Sequence, residues 1–331
     1  MQLTTVELVM KTRHSQQGIA LLVLVFIITL AITSYILHSL SSASIKKELD
    51  TKTFAALSEA KTALLGWSVR QNSPGQLPCP EDIALIGLPT EGQEQSNCTS
   101  PNPVIGRLPW RTLGLGDIRD GNGDKLWYVI STGFRTSPIN SNTLAQLTVD
   151  GVPNSAVAII FSAGIPLAGQ SRPTANAAPA AVTEYLESSN NDGDNTFVNS
   201  GTVGSFNDRL MPVSHAELFS MVTSRVLGEI KGDGSGLNGY YASQSKYPYA
   251  DALPLSDGFS DDTVLIGTPS YQAGLLSLDF SKMITDDSGA SISVRDTLLN
   301  NSWFPLMNYA VTSNQQQVTL ILNGKTIVVK P

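Results

Sequence analysis

One stretch constrains this chain more than any other. Ile19 to Leu37, IALLVLVFIITLAITSYIL, is 19 residues without a charge, and its only polar groups are Thr29, Thr33, Ser34 and Tyr35. At 1.5 Å per residue, a helix of this length reaches about 28 Å, close to the hydrocarbon thickness of a bilayer. Lys11 and Arg13 precede it, so the positive-inside rule places the first eighteen residues in the cytoplasm and everything after His38 on the exported side. The run is longer than the apolar core of a cleaved secretory signal, roughly 7–15 residues. A plain uncleaved signal anchor is an alternative reading of the same residues.

Composition narrows the function classes. The 331 residues carry a net charge of −7, 15% charged residues and no basic run, which argues against a nucleic-acid surface. Three histidines (His14, His38, His215) and two cysteines (Cys79, Cys98) are too few for a Cys/His zinc site. No G-x-S-x-G elbow occurs, GDGSGLNG lacks the Lys-Ser/Thr of a phosphate loop, and Ser44-x-x-Lys47 lies just outside the membrane run. The sequence therefore reads as a non-enzyme. An anchored hydrolase is the weakest of three function classes.

From Ser41 to about Arg70, Ile45, Leu49, Phe54, Leu57, Ala60, Leu64 and Trp67 recur at helical spacing, so the anchor is expected to continue as one long helix stopped by Asn72-Ser73-Pro74-Gly75. Lys125–Thr132 and Ser155–Ser162 have strand composition, with a glycine turn at Asp150-Gly151. Residues 166–207, rich in Ala, Ser, Asn, Gly and Pro, read as a loop or linker. A helix capped by Ser214 and Glu217 follows, and Asn323-Gly324 marks a final hairpin. The order of helix, aromatic-proline loop, Trp-Pro segment and strand occurs twice. LPCP pairs with YPYA, LPW with WFP, and LWYVIS with MNYAVT, which suggests an internal duplication. The four tryptophans (Trp67, Trp110, Trp127, Trp303) are expected to fill core positions.

Arg13-His14-Ser15-Gln16-Gln17-Gly18, followed directly by Ile19-Ala20-Leu21-Leu22, resembles the leader of type IV pilins and type II secretion pseudopilins. The blocks LPCP, GRLPW and Asp117…Gly123-Asp124…Trp127 resemble, in the same order, those of large bacterial pilin-like proteins carrying that leader. The resemblance implies cleavage by a prepilin peptidase between Gly18 and Ile19, methylation of Ile19, and assembly with other pilin or pseudopilin subunits through the N-terminal helix, in the bacterial inner membrane with the bulk of the chain periplasmic. Met10 offers an alternative start that gives a shorter leader. The family's usual glutamate at mature position five is Val23 here.

The implied fold class is α+β: a long N-terminal helix packed on a small antiparallel sheet, with a second unit of the same kind. The expected organisation is a leader (1–18), a membrane helix (19–40), a head (41–165), a linker (166–207) and a second α+β domain (208–331). The function so implied is a minor structural subunit at a filament tip or in an initiation complex. The rival is a membrane-anchored periplasmic binding protein that joins no filament.

Two further sites are legible. Cys79 and Cys98, the only thiols, lie on the exported side, where a disulfide is favoured over two buried free thiols. Asp117, Asp120, Asn122 and Asp124 form the oxygen-rich loop DIRDGNGD, a candidate calcium site; its alternative is a Gly-Asn turn before a strand. EF-hand positions are not met, since Lys125 and Ser131 stand where Gly and Glu are needed.

Overall fold

Residues that favour helix, without proline from His14 to Arg70, make one continuous helix, α1 (His14–Arg70), in the computed structural model of the chain. The structure describes residues 14–98, 103–174, 177–179, 181–202, 204–254, 257–272, 278, 283–285 and 291–331. The first thirteen residues, including Lys11 and Arg13 of the leader, lie outside them. In chain order there follow β1 (Val104–Arg107), β2 (Trp127–Ile130), β3 (Leu147–Val149), β4 (Val152–Ala156), β5 (Ala158–Ser162), β6 (Thr196–Phe197), β7 (Arg209–Val213), α2 (His215–Lys231), α3 (Gly236–Gln244), β8 (Ile266–Gly267), β9 (Met283–Thr285), β10 (Ser291–Ser293), α4 (Val294–Asn300), β11 (Asn308–Val311), β12 (Val318–Leu322) and β13 (Lys325–Val329). The molecule is thus mixed α+β with antiparallel sheets. It divides into one unit ending at Lys52 and a second, Thr53–Pro331.

In the first unit, Gly18–Ile36 is long and apolar enough to cross a membrane, with a mean hydropathy of 2.7 and no residue buried. In the second unit, α1 buries one face through Thr53, Ala56, Leu57, Ala60, Leu64 and Trp67, the three-and-four spacing of a packed helix. Phe54, expected on that face, is exposed (65%), as its one-residue offset from Thr53 turns it away. Ile45 is likewise exposed.

Two four-stranded antiparallel sheets, β1-β2-β5-β7 and β8-β11-β12-β13, contribute to the main core together with α1 and α2. They repeat one another in register. Gly106 faces Tyr128 in the first and Gly267 faces Tyr309 in the second. Tyr128 Oη donates to Pro78 O (3.2 Å) and Tyr309 Oη to Pro248 O (2.7 Å). Leu77 N donates to Phe134 O and Tyr247 N to Gln315 O; Ser131 N to Val157 O and Thr312 N to Gln317 O; Glu81 N to Arg107 O and Asp251 N to Thr268 O. A Cβ on Gly106 would stand 2.7 Å from Pro80 Cβ, and one on Gly267 2.0 Å from Asp251 O, so both strands need glycine at that crossing. LPCP therefore matches YPYA, and LWYVIS matches MNYAVT. LPW does not match WFP: Trp110 follows β1, whereas Trp303 precedes β11. The partner of Gly106-Arg107 is instead Gly267-Thr268.

The copies differ in their connections. β11 to β12 and β12 to β13 are tight turns, the second through Asn323 and Gly324, both at positive φ. The first copy instead inserts β3-β4 before β5, and residues 163–208 after it. The expected strand over 155–162 is accordingly split at Val157, with β4 in the sheet β4-β3-β6 and β5 in the main sheet. Within 166–207, expected as loop or linker, the described residues are irregular apart from β6 and short helical turns, but packed. Tyr185, Leu186 and Phe197 join Trp127, Val129, Ile159 and Phe161 in a second core on the outer face of the first sheet. Their apolar side chains follow no helical or strand period, so composition alone reads them as linker. Trp67 and Trp303 lie in the main core and Trp127 in the second, while Trp110 is half-buried.

Candidate functional site

Gly18 and Ile19 sit inside α1, and Ile19 is 64% exposed. A Cβ on Gly18 would meet nothing within 4 Å. A glycine inside a helix costs about 1 kcal/mol relative to alanine. Packing gives no reason for one here.

The disulfide is present. Cys79 and Cys98 are joined with Cα atoms 5.7 Å apart, closing a hairpin in which Glu81 pairs with Glu94. Glu94 Oε2 accepts from Cys79 N (2.7 Å) and meets Arg135 at 3.2 Å. A crosslink of this span contributes on the order of 3 kcal/mol by restricting the unfolded chain. Inside the hairpin, Gly92 (φ +89°) leaves room for Trp110, whose ring a Cβ would meet at 2.2 Å. The buried Lys125 ammonium pairs with Glu91 and lies 5.9 Å from the Trp110 ring centroid. Burial raises the Glu81 carboxyl above the usual carboxylate range, against the pull of Lys125 and Arg107.

The loop DIRDGNGD does not assemble the expected calcium site. Asp120 turns inward: Oδ1 accepts from Asn122 N (2.9 Å) and Asp124 N (3.0 Å), and Oδ2 from Ser162 Oγ (2.6 Å). Asp117 pairs with Arg119 at 2.6 Å, and Asp124 with Arg172 at 2.9 Å. The oxygens are thus spent on amides, a hydroxyl and guanidinium groups rather than pointed at a common centre. Among the described residues no cluster of three acidic, His or Cys side chains is placed to hold a metal ion. Asp120 is the hinge of a turn, and burial raises its carboxyl above the ordinary value. Asp120→Ala should lower the unfolding free energy by about 2 kcal/mol, the scale of lost buried hydrogen bonds. Melting curves in calcium and in chelator should show the same loss; a loss seen only in calcium would restore the cation site.

The sequence reading missed Arg172, which lies in the segment read as linker. Its Nε donates to Glu184 O (2.8 Å), Nη1 to Asp124 Oδ2 (2.9 Å) and Gly164 O (2.8 Å), and Nη2 to Gln170 Oε1 (2.6 Å), Ala163 O (3.1 Å) and Tyr185 O (3.2 Å). It also missed Glu187 and Asp208, two buried acids in the same layer. No motif or period announces any of the three.

No family model, curated protein or solved structure matches this chain.

Proposed function

We propose that this chain is a non-enzymatic, pilin-like minor subunit of a type IV filament or type II secretion machine. It is anchored in the inner membrane by α1, with the N-terminus cytoplasmic and the bulk periplasmic. The observation that carries the reading is α1 itself. One unbroken helix holds an apolar segment with nothing buried, Gly18–Ile36, and a later stretch, from Thr53, packed in the core with an antiparallel sheet. The bare glycine at position 18 adds to it, since a peptidase that must fit the residue before the cut supplies the reason that packing does not.

Val23 favours the filament tip or an initiating complex over the shaft. In a packed bundle of apolar helices, a glutamate near the N-terminus neutralises a buried amine, whose unpaired charge costs several kcal/mol. Valine offers no such partner, and a subunit at the tip has no earlier subunit's amine to neutralise. The expected partners are a prepilin peptidase and other pilin or pseudopilin subunits.

Intact-mass measurement of protein extracted from membranes should show loss of residues 1–18 and one added methyl group. Gly18→Leu should leave the precursor uncut. A mature chain still beginning at Met1 or Met10 overturns the pilin reading in favour of a plain anchor.

A further inference from the structure

The two sheets end in matched edge strands, β7 and β13, which treat their outward polar groups differently. In the first sheet Ala158 faces Val213 and Ile160 faces Met211; in the second Val318 faces Val329 and Leu320 faces Ile327. Leu210 and Pro212 of β7 thus correspond to Thr326 and Val328 of β13. The two-residue turn makes Leu322 and Lys325 a bonded pair, so Lys325, Ile327 and Val329 bond to β12 while Thr326 and Val328 turn their N–H and C=O groups outward.

On β7 the outward groups are dealt with. Leu210 N donates to Asn199 Oδ1 (3.4 Å), Pro212 has no N–H, and Pro212 O accepts from Lys61 Nζ (2.9 Å). On β13, the outward groups of Thr326 and Val328 meet no partner among the described residues. The strand contains no proline or bulge, two of the usual protections of an edge, and its charged residue, Lys325, stands at its first position. At the opposite edges, Arg107 O and Thr268 O each accept a backbone amide, from Glu81 and Asp251. The outer face beside β13 is bare too: Val328 (49%) and Ile321 (37%) are exposed, as is Ile266 (74%) on β8 at the far edge of the sheet. Phe161, the counterpart of Ile321, is buried under the layer formed by β3, β4 and β6.

We infer that β13 is a docking edge for an extended strand of another protein, apolar on alternate residues and acidic at both ends, which adds to the sheet by backbone pairing. Charge selects this occupant. Lys325, whose ammonium donates to Ser224 Oγ, and Lys330, both exposed, bracket the strand on opposite faces, so a second copy of β13 sets lysine directly beside lysine in a parallel ladder and brings lysines to the same ends in an antiparallel one. Carboxylates at the ends of a foreign strand meet them favourably. The side chains of that strand extend the apolar face at Val328 and Ile321. This surface is independent of processing at Gly18.

The test uses the full chain in detergent micelles and a labelled six-residue peptide, Glu-Thr-Val-Thr-Val-Glu, whose two end carboxylates fall on opposite faces as Lys325 and Lys330 do. Fluorescence anisotropy should show saturable binding, with a lysine-ended peptide about tenfold weaker or worse, as expected when two cross-strand charge pairs change sign. Hydrogen exchange should slow across residues 325–329 only when the acidic peptide is bound. Val328→Pro should abolish binding while keeping the circular dichroism spectrum, because Pro212 occupies the matched position in β7. Val328→Asp, at an exposed side chain, should weaken binding by repelling the acidic ends and serves if the proline variant misfolds. Three results overturn the inference: no binding, equal binding of the two peptides, or binding unchanged in folded variants. A wild-type dimer that Val328→Pro dissociates overturns it as well and gives the edge to a second copy.

Discussion

Arg172→Ala should cost about 3–5 kcal/mol of unfolding free energy, the scale of removing one partner from a buried ion pair. The side chain is 3% exposed and pairs with Asp124. Its fork also closes three otherwise separate pieces of chain: the carbonyls of Ala163 and Gly164 after β5, the Asp124 turn before β2, and the carbonyls of Glu184 and Tyr185. The guanidinium lies 5.1 Å from the Tyr185 ring centroid. Lysine should rescue little, because a single ammonium cannot serve partners spread around a planar fork. Urea titration of the full chain in detergent measures the effect. A loss below about 1 kcal/mol, the ceiling for ordinary surface pairs, would mean that this network contributes no more than an exposed ion pair.

Stability should also fall as pH rises towards and through neutrality, and Asp208→Asn should make that fall shallower. The Asp208 carboxyl is pushed up to about 7, first by burial and also by the charge of Glu187 beside it. Its Oδ2 accepts from Glu187 N (2.9 Å) and Asn190 Nδ2 (2.8 Å). Glu187 is held in turn by Gln170 Nε2 (2.8 Å), Asn207 N (2.9 Å) and Asp208 N (3.2 Å). The raised value means that the folded chain keeps a proton at Asp208 which the unfolded chain has released above pH 4. The stabilisation is therefore complete below about pH 4 and is lost as pH rises towards and through 7, with a slope of up to about 1.4 kcal/mol per pH unit. Asparagine keeps the acceptor oxygen and cannot ionise, so the variant should be the more stable protein at pH 8. Equal slopes for variant and wild type between pH 5 and 8 would show that Asp208 ionises normally.

What the sequence disclosed follows from which interactions are local. α1, the capping box at Ser214 and Glu217 and the Asn323-Gly324 hairpin each depend on residues a few positions apart, and each stands where it was expected. The likeness of the two sheets was partly legible because tyrosine and proline recur in matched places. Its decisive signs, the Gly106–Tyr128 and Gly267–Tyr309 crossings, are pairings over more than twenty residues. Asp120 misled because a turn held by its own amides and a calcium loop draw on the same residue types. Arg172 and the acids Glu187 and Asp208 were invisible, since their partners come from four or five separated segments that no local pattern links.

The clasp between α1 and α2 has a mechanical consequence. Lys61 of α1 holds Glu217 of α2 (2.6 Å) as well as Pro212 O, and Arg225 of α2 reaches back to the carbonyls of Val69 and Gln71. These two fastenings are about 12 Å apart along α1 at the helical rise. Tension along the axis of α1 is therefore met in shear, with both fastenings loaded together, rather than peeled turn by turn. Two rungs that share a load resist sliding better than either alone.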